Sequence, residues 1–184
     1  MATTKIMVVR HAEKPIEGAA GVEVDGTADA ESLIVRGWQR AGALAVLFDP
    51  SRGELQDPSL ATPACLYSAK FDASKHSKRP YETLVPLAAK LDLTIDDSYK
   101  KDDYATMLQD AASCDGVVLI AWQHDDIPSI GNILMGNETS VPQSWPGDRF
   151  DMVWVFDAQE GGGYTFTQVP QLLLAGDLST PIGG

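Results

Sequence analysis

Cysteine and histidine are scarce in this chain, whose 184 residues include two cysteines and three histidines. Cys65 and Cys114 lie far apart and lack the close spacing that is typical of metal-binding cysteines. Because a cytosolic pair of this kind usually remains reduced, we expect two partly buried thiols rather than a disulfide.

Long apolar runs are absent as well. No stretch approaches the roughly 20 apolar residues that a membrane helix needs, and the first apolar run, Ile6 to Val9, is too short for a secretory signal. We therefore expect no membrane association and a cytoplasmic location. The composition, 44% hydrophobic and 22% charged, is typical of a globular protein, and the length predicts a single domain over residues 1–184.

Basic residues are few: 14 Lys and Arg stand against 26 Asp and Glu, a net charge of −12. This acidic excess disfavours nucleic acid and anionic membranes as partners. The sign reverses locally at Lys70, Lys75, Lys78 and Arg79, with His76 among them. Such a segment either attracts phosphorylated substrates to a site or is an ordinary solvated loop.

Apolar runs and helical repeats alternate along most of the chain. Short apolar runs predict strands near residues 6–9, 63–68, 93–95 and 117–121. Helical spacing of apolar residues predicts helices near 35–48, 79–91, 103–112 and 127–134. Two alternating segments flanking residues 161–163 predict a C-terminal hairpin. The pattern predicts an α/β protein, a three-layer α/β/α sandwich around one mostly parallel sheet.

Two strand ends carry residues suited to phosphoryl chemistry. Arg10 and His11 follow the first strand, and His124 follows the strand near 117–121. Ligands of open α/β sheets bind outside the carboxyl ends of the strands, so both histidines should face one crevice. A guanidinium binds two phosphate oxygens at once, and an imidazole can attack phosphorus. A lone histidine would more often be an ordinary hydrogen-bonding residue, but two at one edge favour a site.

Four segments of the chain resemble, in the right order, the motifs of the histidine phosphatase superfamily, which includes phosphoglycerate mutase-like and acid phosphatase-like proteins. They are residues 10–15 (Arg-His-Ala-Glu-Lys-Pro), 33–41, 79–88 and 118–124. The resemblance implies a phosphoglycerate mutase-like fold.

Two positions depart from the usual pattern. Ala12 replaces a glycine, which requires that its φ is not strongly positive, and Ile34 stands where a helix-capping threonine is common.

The resemblance also implies a reaction, the hydrolysis of a phosphomonoester without metal or cofactor. His11 would attack phosphorus and form a phosphohistidine that water then hydrolyses. The cationic side chains would take the role of a metal, with Arg10, Arg79 and protonated His124 surrounding the phosphate oxygens. The segment before Arg79 is longer than usual, which leaves Lys70 and Lys78 as competing ligands.

Two further side chains, Lys14 and Trp122, are candidates for contact with the substrate. Lys14 follows the first motif closely and would contact phosphate. Trp122 could stack on a substrate ring, although a tryptophan beside a strand end more often packs in the core.

The proton donor to the leaving group has more than one candidate. In the acid phosphatase branch an aspartate directly follows the second histidine, as Asp125 follows His124 here. In the mutase-like branch the acid lies between the second arginine and the second histidine, where Asp102 and Asp103 are available. We favour Asp125, with Asp102 or Asp103 as the alternative.

Three other functions remain open at this point. The chain could be a non-catalytic phospholigand-binding module of the same fold, or a phosphoglycerate mutase-type phosphotransferase. It could also hold a divalent metal ion on His11, His124, Asp125 and Asp126. The expected partner is a small-molecule phosphomonoester or a phosphoprotein, and the expected assembly is a monomer or homodimer.

Overall fold

The computed structural model describes residues 3–71 and 77–183. Its strands are β1 (Thr3–Arg10), β2 (Cys65–Ser68), β3 (Ile95–Asp96), β4 (Gly116–Trp122), β5 (Met152–Ala158) and β6 (Tyr164–Pro170). Its helices are α1 (Val35–Phe48), α2 (Arg79–Leu91), α3 (Tyr104–Ala111) and α4 (Ile127–Met135), with a 3-10 turn at Lys101–Asp103 before α3. Each predicted strand and helix is present. None of the helices in the two described ranges is both long and apolar enough to cross a membrane.

The strands form one six-stranded sheet in the order β3-β2-β4-β1-β5-β6. The β1–β4, β2–β4 and β2–β3 pairs are parallel, whereas β5 runs antiparallel to both β1 and β6. The predicted mostly parallel sheet and the C-terminal hairpin are thus confirmed. Arg10 lies opposite Trp122, and Ser68 lies opposite Ala121. The chain therefore leaves β1, β4 and β2 at the same edge of the sheet.

Helices cover both faces of this sheet, which confirms the three-layer sandwich. Met7 and Val9 of β1 pack in one core cluster with side chains of α1 and α2. Ile6 and Val8, which point the other way, pack in a second cluster with side chains of α3 and α4. This division follows from the alternation of side chains along a strand, and it explains why β1 is apolar on both faces.

The two departures from the family pattern have the structural consequences that their residue types predict. Ile34 is the N-cap of α1 and makes no side-chain capping bond. In the described residues Asp92 and Leu172 are the non-glycine positions with positive φ, so Ala12 meets its conformational condition.

The expectation of two free thiols is wrong, because Cys65 and Cys114 form a disulfide. Cys65 opens β2, and Cys114 lies in the turn before β4. Parallel pairing of these strands brings the two Cα atoms to 6.4 Å, within the range of about 4.4–6.8 Å that disulfides span. Spacing along the sequence carried no information about this pairing. The bond lies at the end of the sheet opposite the strand ends that carry His11 and His124.

Candidate active site

His11 is held rigidly at the end of β1. Its backbone N–H donates to the carbonyl of Trp122 at 3.0 Å, and the residue is only 4% exposed. Its Nδ1 lies 2.7 Å from the carbonyl oxygen of Ala12. Because a carbonyl oxygen can only accept a hydrogen bond, Nδ1 carries the proton and Nε2 keeps its lone pair. A nucleophilic histidine needs this tautomer.

Electrostatics keep His11 uncharged at neutral pH. Burial lowers the pKa of His11 to about 3, and the hydrogen bond to the Ala12 carbonyl only partly opposes this effect. The positive charges of Arg10 and Arg79 and the nearby His124 lower it further. The imidazole is therefore available as a nucleophile at pH 7.

Arg10 is buried and only partly satisfied. Its Nη1 donates to the carbonyls of Pro146, Gly147 and Arg149 at 2.9–3.2 Å, and its guanidinium carbon lies 3.8 Å from the centre of the Phe150 ring. Its Nε and Nη2 have no hydrogen-bond partner among the described residues. Burial lowers the pKa of Arg10 to about 10, so the group remains charged at pH 7. Two donor nitrogens of Arg10, Nε and Nη2, are thus free to bind an anion.

Arg79 supplies a further free donor from the first turn of α2. Its Nη1 donates to the carbonyls of Ala30 and Glu31 at 3.3 and 3.4 Å, whereas its Nε is buried without a partner in the described ranges. The Thr83 hydroxyl donates to the Arg79 carbonyl and accepts the N–H of Ala12. Thr83 therefore links the helix that carries Arg79 to the loop that carries His11.

These groups surround a cavity of about 190 Å³ at the carboxyl edge of the sheet. The side chains that line it are His11, Lys14, Ser77, Arg79, Lys101, Gln123, His124 and Asp125. Arg10 does not line it, but its charge contributes to the lowered pKa values of both histidines. We call this space the phosphate cavity. Three of its lining residues are cationic in a strongly acidic protein, which suits an anionic ligand.

His124 and two neighbouring carboxylates form one wall of the site. Burial and the charge of Arg10 lower the pKa of His124, although Asp125 opposes them. The Asp125 carboxylate is 3.4 Å from His124 Nε2 and is 67% exposed. Burial raises the pKa of Asp126, whose carboxylate lies 3.6 Å from the Lys101 amine. His124 is thus neutral in the free protein near pH 7.

Comparison with family models and with curated proteins finds no match, but solved structures share the fold. Mycobacterial glucosyl-3-phosphoglycerate phosphatase aligns with a TM-score of 0.53 and 10% identity over 91% of this chain and 97% of its own. The complex of that enzyme with vanadate aligns with a TM-score of 0.53 and 12% identity, over 91% of this chain and 98% of its own. A phosphoserine phosphatase variant from Entamoeba histolytica, bound to phosphoserine, aligns with a TM-score of 0.52 and 13% identity, over 90% of this chain and 95% of its own.

The chain has the fold of the histidine phosphatases. Identities of this size establish the fold alone. Within this histidine phosphatase fold, the structure brings together His11, Arg79, His124, Asp125 and Lys14 around the phosphate cavity, with Arg10 beside it. Ser77, Lys101 and Gln123 line the same cavity and were not identified from the sequence.

Trp122 and Lys70 lie elsewhere, contrary to their predicted contact with the substrate. Trp122 has no exposed surface, and its indole N–H donates to the Lys101 carbonyl in the core. Trp122 points to the α3–α4 side of the sheet because side chains alternate along β4. Lys70 is exposed and does not line the phosphate cavity.

Lys78, another predicted ligand, also does not line the phosphate cavity. Its amine forms ion pairs with Glu23 and with Asp29, the latter at 2.8 Å. These carboxylates belong to the loop between β1 and α1, so the charge of Lys78 is used to hold that loop. Lys75 and His76, the remaining members of the predicted basic segment, lie outside the described residues.

The alternative proton donors do not line the cavity either. Asp102 and Asp103 lie in the 3-10 turn before α3, are exposed, and do not line the phosphate cavity. No group of three or more His, Cys, Asp or Glu side chains within residues 3–71 and 77–183 is arranged to hold a metal ion. His11, His124, Asp125 and Asp126 therefore do not form a metal site there.

Behind the loop that follows His11 lies a buried ionic network that sequence reasoning missed. Arg40 of α1 donates three hydrogen bonds to the Glu13 carboxylate, two to Asp177 and one to Gln171, at 2.7–3.1 Å. A Cβ at Gly37 would lie 2.7 Å from the Glu13 carbonyl, so this contact requires glycine. The network ties the loop after His11 to α1 and to the C-terminal segment.

Proposed function

We propose that this chain hydrolyses phosphomonoesters through a phosphohistidine on His11, without a metal ion. One observation carries the proposal: three buried guanidinium nitrogens, Nε and Nη2 of Arg10 and Nε of Arg79, have no partner among the described residues and adjoin an uncharged histidine with a free Nε2. Buried donors without acceptors are costly, so this arrangement fits an anion with several oxygens. A phosphoryl group presents three.

In the first step, Nε2 of His11 attacks phosphorus and forms the P–N bond while the bond to the leaving oxygen breaks. The imidazole becomes cationic as it is phosphorylated. Its Nδ1–H then donates a stronger hydrogen bond to the Ala12 carbonyl, which stabilises the intermediate. The free N–H groups of Arg10 and Arg79 bind the equatorial oxygens, where negative charge is spread in the transition state.

Proton transfer to the leaving oxygen is assigned to Asp125. Among the carboxylates considered, Asp125 lines the phosphate cavity, whereas Asp102 and Asp103 do not. In the second step Asp125 would take a proton from the attacking water, phosphate would leave, and His11 would return to its neutral form. A bound phosphate dianion raises the pKa of His124, so His124 becomes a charged donor only when the site is occupied.

The partner of this site is a small-molecule phosphomonoester or a phosphoprotein, and the assembly is proposed as a monomer or homodimer. The cytoplasmic location stays a prediction from the sequence. The Cys65–Cys114 disulfide weighs against it, because disulfides are rare in reducing compartments.

Labelling with a phosphomonoester that carries radioactive phosphate tests the proposal. After rapid quenching, the wild type should hold acid-labile label, and His11→Ala should lose both label and turnover. Arg52→Met, which replaces an exposed arginine that does not line the phosphate cavity, is the control and should retain both. Turnover should persist after treatment with a chelator, because the proposed route uses no metal.

Two results would contradict the proposal. Near-normal turnover by His11→Ala would exclude the phosphohistidine route. Tight binding of vanadate by the wild type, without turnover of any phosphomonoester, would indicate the non-catalytic phospholigand-binding module instead.

A further inference from the structure

A second cavity, of about 370 Å³, adjoins the phosphate cavity. Its lining includes Glu13–Lys14, Ile16, Ile34, Arg36, Arg40, Gly147–Asp148, Phe150–Asp151 and Gly176–Asp177. Lys14 lines both cavities. A Cβ at Gly147 would lie 4.0 Å from Nε2 of His124. The two spaces therefore meet at Lys14 and Gly147, and the absence of a side chain at residue 147 leaves that junction open.

Most of the charge around this second cavity is already neutralised. Arg40 binds both Glu13 and Asp177, and Arg149 binds Asp151 at 2.6 Å. Arg36 lies 3.3 Å from Glu13 and donates to a backbone carbonyl. Arg36 and Arg40 thus have carboxylates of their own, and the third cation of the lining, Lys14, lies at the junction with the phosphate cavity. The four lining carboxylates outnumber these three cations, so the wall as a whole does not favour an additional anion.

The remaining wall is apolar. Ile16, Ile34 and Phe150 form it, and Asp148 adds an exposed carboxylate. The Phe150 ring is fixed against the Arg10 guanidinium, and its centre lies 6.1 Å from that of the His11 ring. A flat aromatic surface therefore adjoins the residues that bind and attack the phosphoryl group.

We propose that the second cavity holds the alcohol portion of the phosphomonoester and selects a bulky, largely apolar group without negative charge, such as an aromatic ring. This inference rests on the proposed function. A ring would pack on Phe150 and the two isoleucines. A carboxylate or second phosphate in the same place would instead face Asp148 and a lining in which carboxylates outnumber cations, which disfavours anionic alcohols.

Substrate pairs that differ in one charge test this selectivity. Phenyl phosphate should have a kcat/KM about tenfold above that of its para-carboxy derivative, mainly through KM, a discrimination of the size that pocket contacts commonly provide. The carboxy derivative has the better leaving group, so a lower rate for it cannot be attributed to leaving-group reactivity. Naphthyl phosphate should be at least as good as phenyl phosphate, because the cavity accommodates the larger ring.

Matched variants separate the cavity from general effects on the protein. Ile16 is 65% exposed and lines the second cavity, whereas Val46 is 58% exposed and lines neither cavity. Ile16→Asp should raise KM for naphthyl phosphate by roughly tenfold and leave inhibition by vanadate unchanged, because vanadate needs only the phosphate cavity. Val46→Asp should change neither quantity. Asp148→Lys should reduce the discrimination against the carboxy derivative.

The outcomes distinguish this inference from the proposed function. Hydrolysis with label on His11, but with equal kcat/KM for phenyl phosphate and its carboxy derivative, would overturn the inference alone. An Ile16→Asp variant that handles naphthyl phosphate like the wild type would do the same. Absence of both label and hydrolysis for every phosphomonoester would refute the proposed function itself.

Discussion

Replacement of Arg40 by methionine removes the cation that Glu13 and Asp177 share. The side chain of Arg40 is 2% exposed, and those of Glu13 and Asp177 are 9% and 3% exposed. Methionine has a similar length and fills part of the same space, but it donates no hydrogen bond. The variant therefore removes five hydrogen bonds from the buried carboxylates of Glu13 and Asp177 and one from the amide oxygen of Gln171.

The expected loss is large relative to the stability of a protein of this size. Removing one partner of a buried ion pair typically costs about 3–5 kcal/mol, because it leaves an uncompensated buried charge. Total unfolding free energies are roughly 5–15 kcal/mol. For a chain of this length the loss corresponds to a decrease in Tm of roughly 6–20 °C.

Urea unfolding at pH 7, followed by circular dichroism, measures this loss as a lower midpoint at constant slope. Arg36→Met is the matched control. Arg36 also lies near Glu13, but its side chain is 43% exposed, and exposed pairs contribute about 0–1 kcal/mol. If Arg40→Met lowered the unfolding free energy by less than about 1 kcal/mol, the reasoning would be refuted, because a decrease of that size is expected of an exposed ion pair.

The pH dependence of the loss provides a second check. In the wild type, burial acts to raise the pKa of Asp177, but hydrogen bonds from Arg40 and from backbone N–H groups outweigh it, and the pKa is lowered. Asp177 therefore stabilises the fold at pH values above the pKa that it has in the unfolded chain. This contribution is lost as the pH falls through the lower pKa that Asp177 has in the folded protein. Without Arg40, burial should act to raise the pKa of Asp177 instead. The deficit of the variant should then be greatest at pH 7 and shrink on acidification.

Two further predictions concern the phosphate cavity and the disulfide. Because burial lowers the pKa of His124 and a phosphate dianion raises it, phosphate binding near pH 7 should take up a proton. Calorimetry in buffers of different ionisation enthalpy would detect the uptake, which His124→Asn should abolish; a binding enthalpy that is the same in all buffers would contradict it. Replacing Cys65 and Cys114 by alanine should lower the unfolding free energy by about 3–4 kcal/mol for a loop of this length. Turnover should be unaffected, because the bond lies at the opposite end of the sheet from the cavity. An unchanged urea midpoint would show that the disulfide contributes no stability.

Local sequence patterns were sufficient to predict the helices and strands and the residues that lie at the strand ends. The apolar run before Trp122 predicted a strand, and β4 lies in the interior of the sheet between β1 and β2. The positions of Arg10, His11 and His124 followed from the same logic, because the carboxyl ends of parallel neighbours share an edge.

The direction in which a side chain points, and its partners far away in the chain, could not be predicted from local sequence patterns. Trp122 was a candidate contact, yet the pleat of β4 turns it into the core, while Gln123 and His124 reach the cavity. Lys78 was a candidate phosphate ligand, yet a loop some fifty positions earlier in the chain holds its amine.

The sequence by itself determined the order of helices and strands, the mostly parallel sheet and the histidines and arginine at the strand ends, because these depend on periodicity within short segments. The tertiary structure alone decided the Cys65–Cys114 bond, the burial of Arg40 between Glu13 and Asp177, and the second cavity beside His11. These features arise from strand register and from packing between segments far apart in the chain, which short-range patterns do not encode.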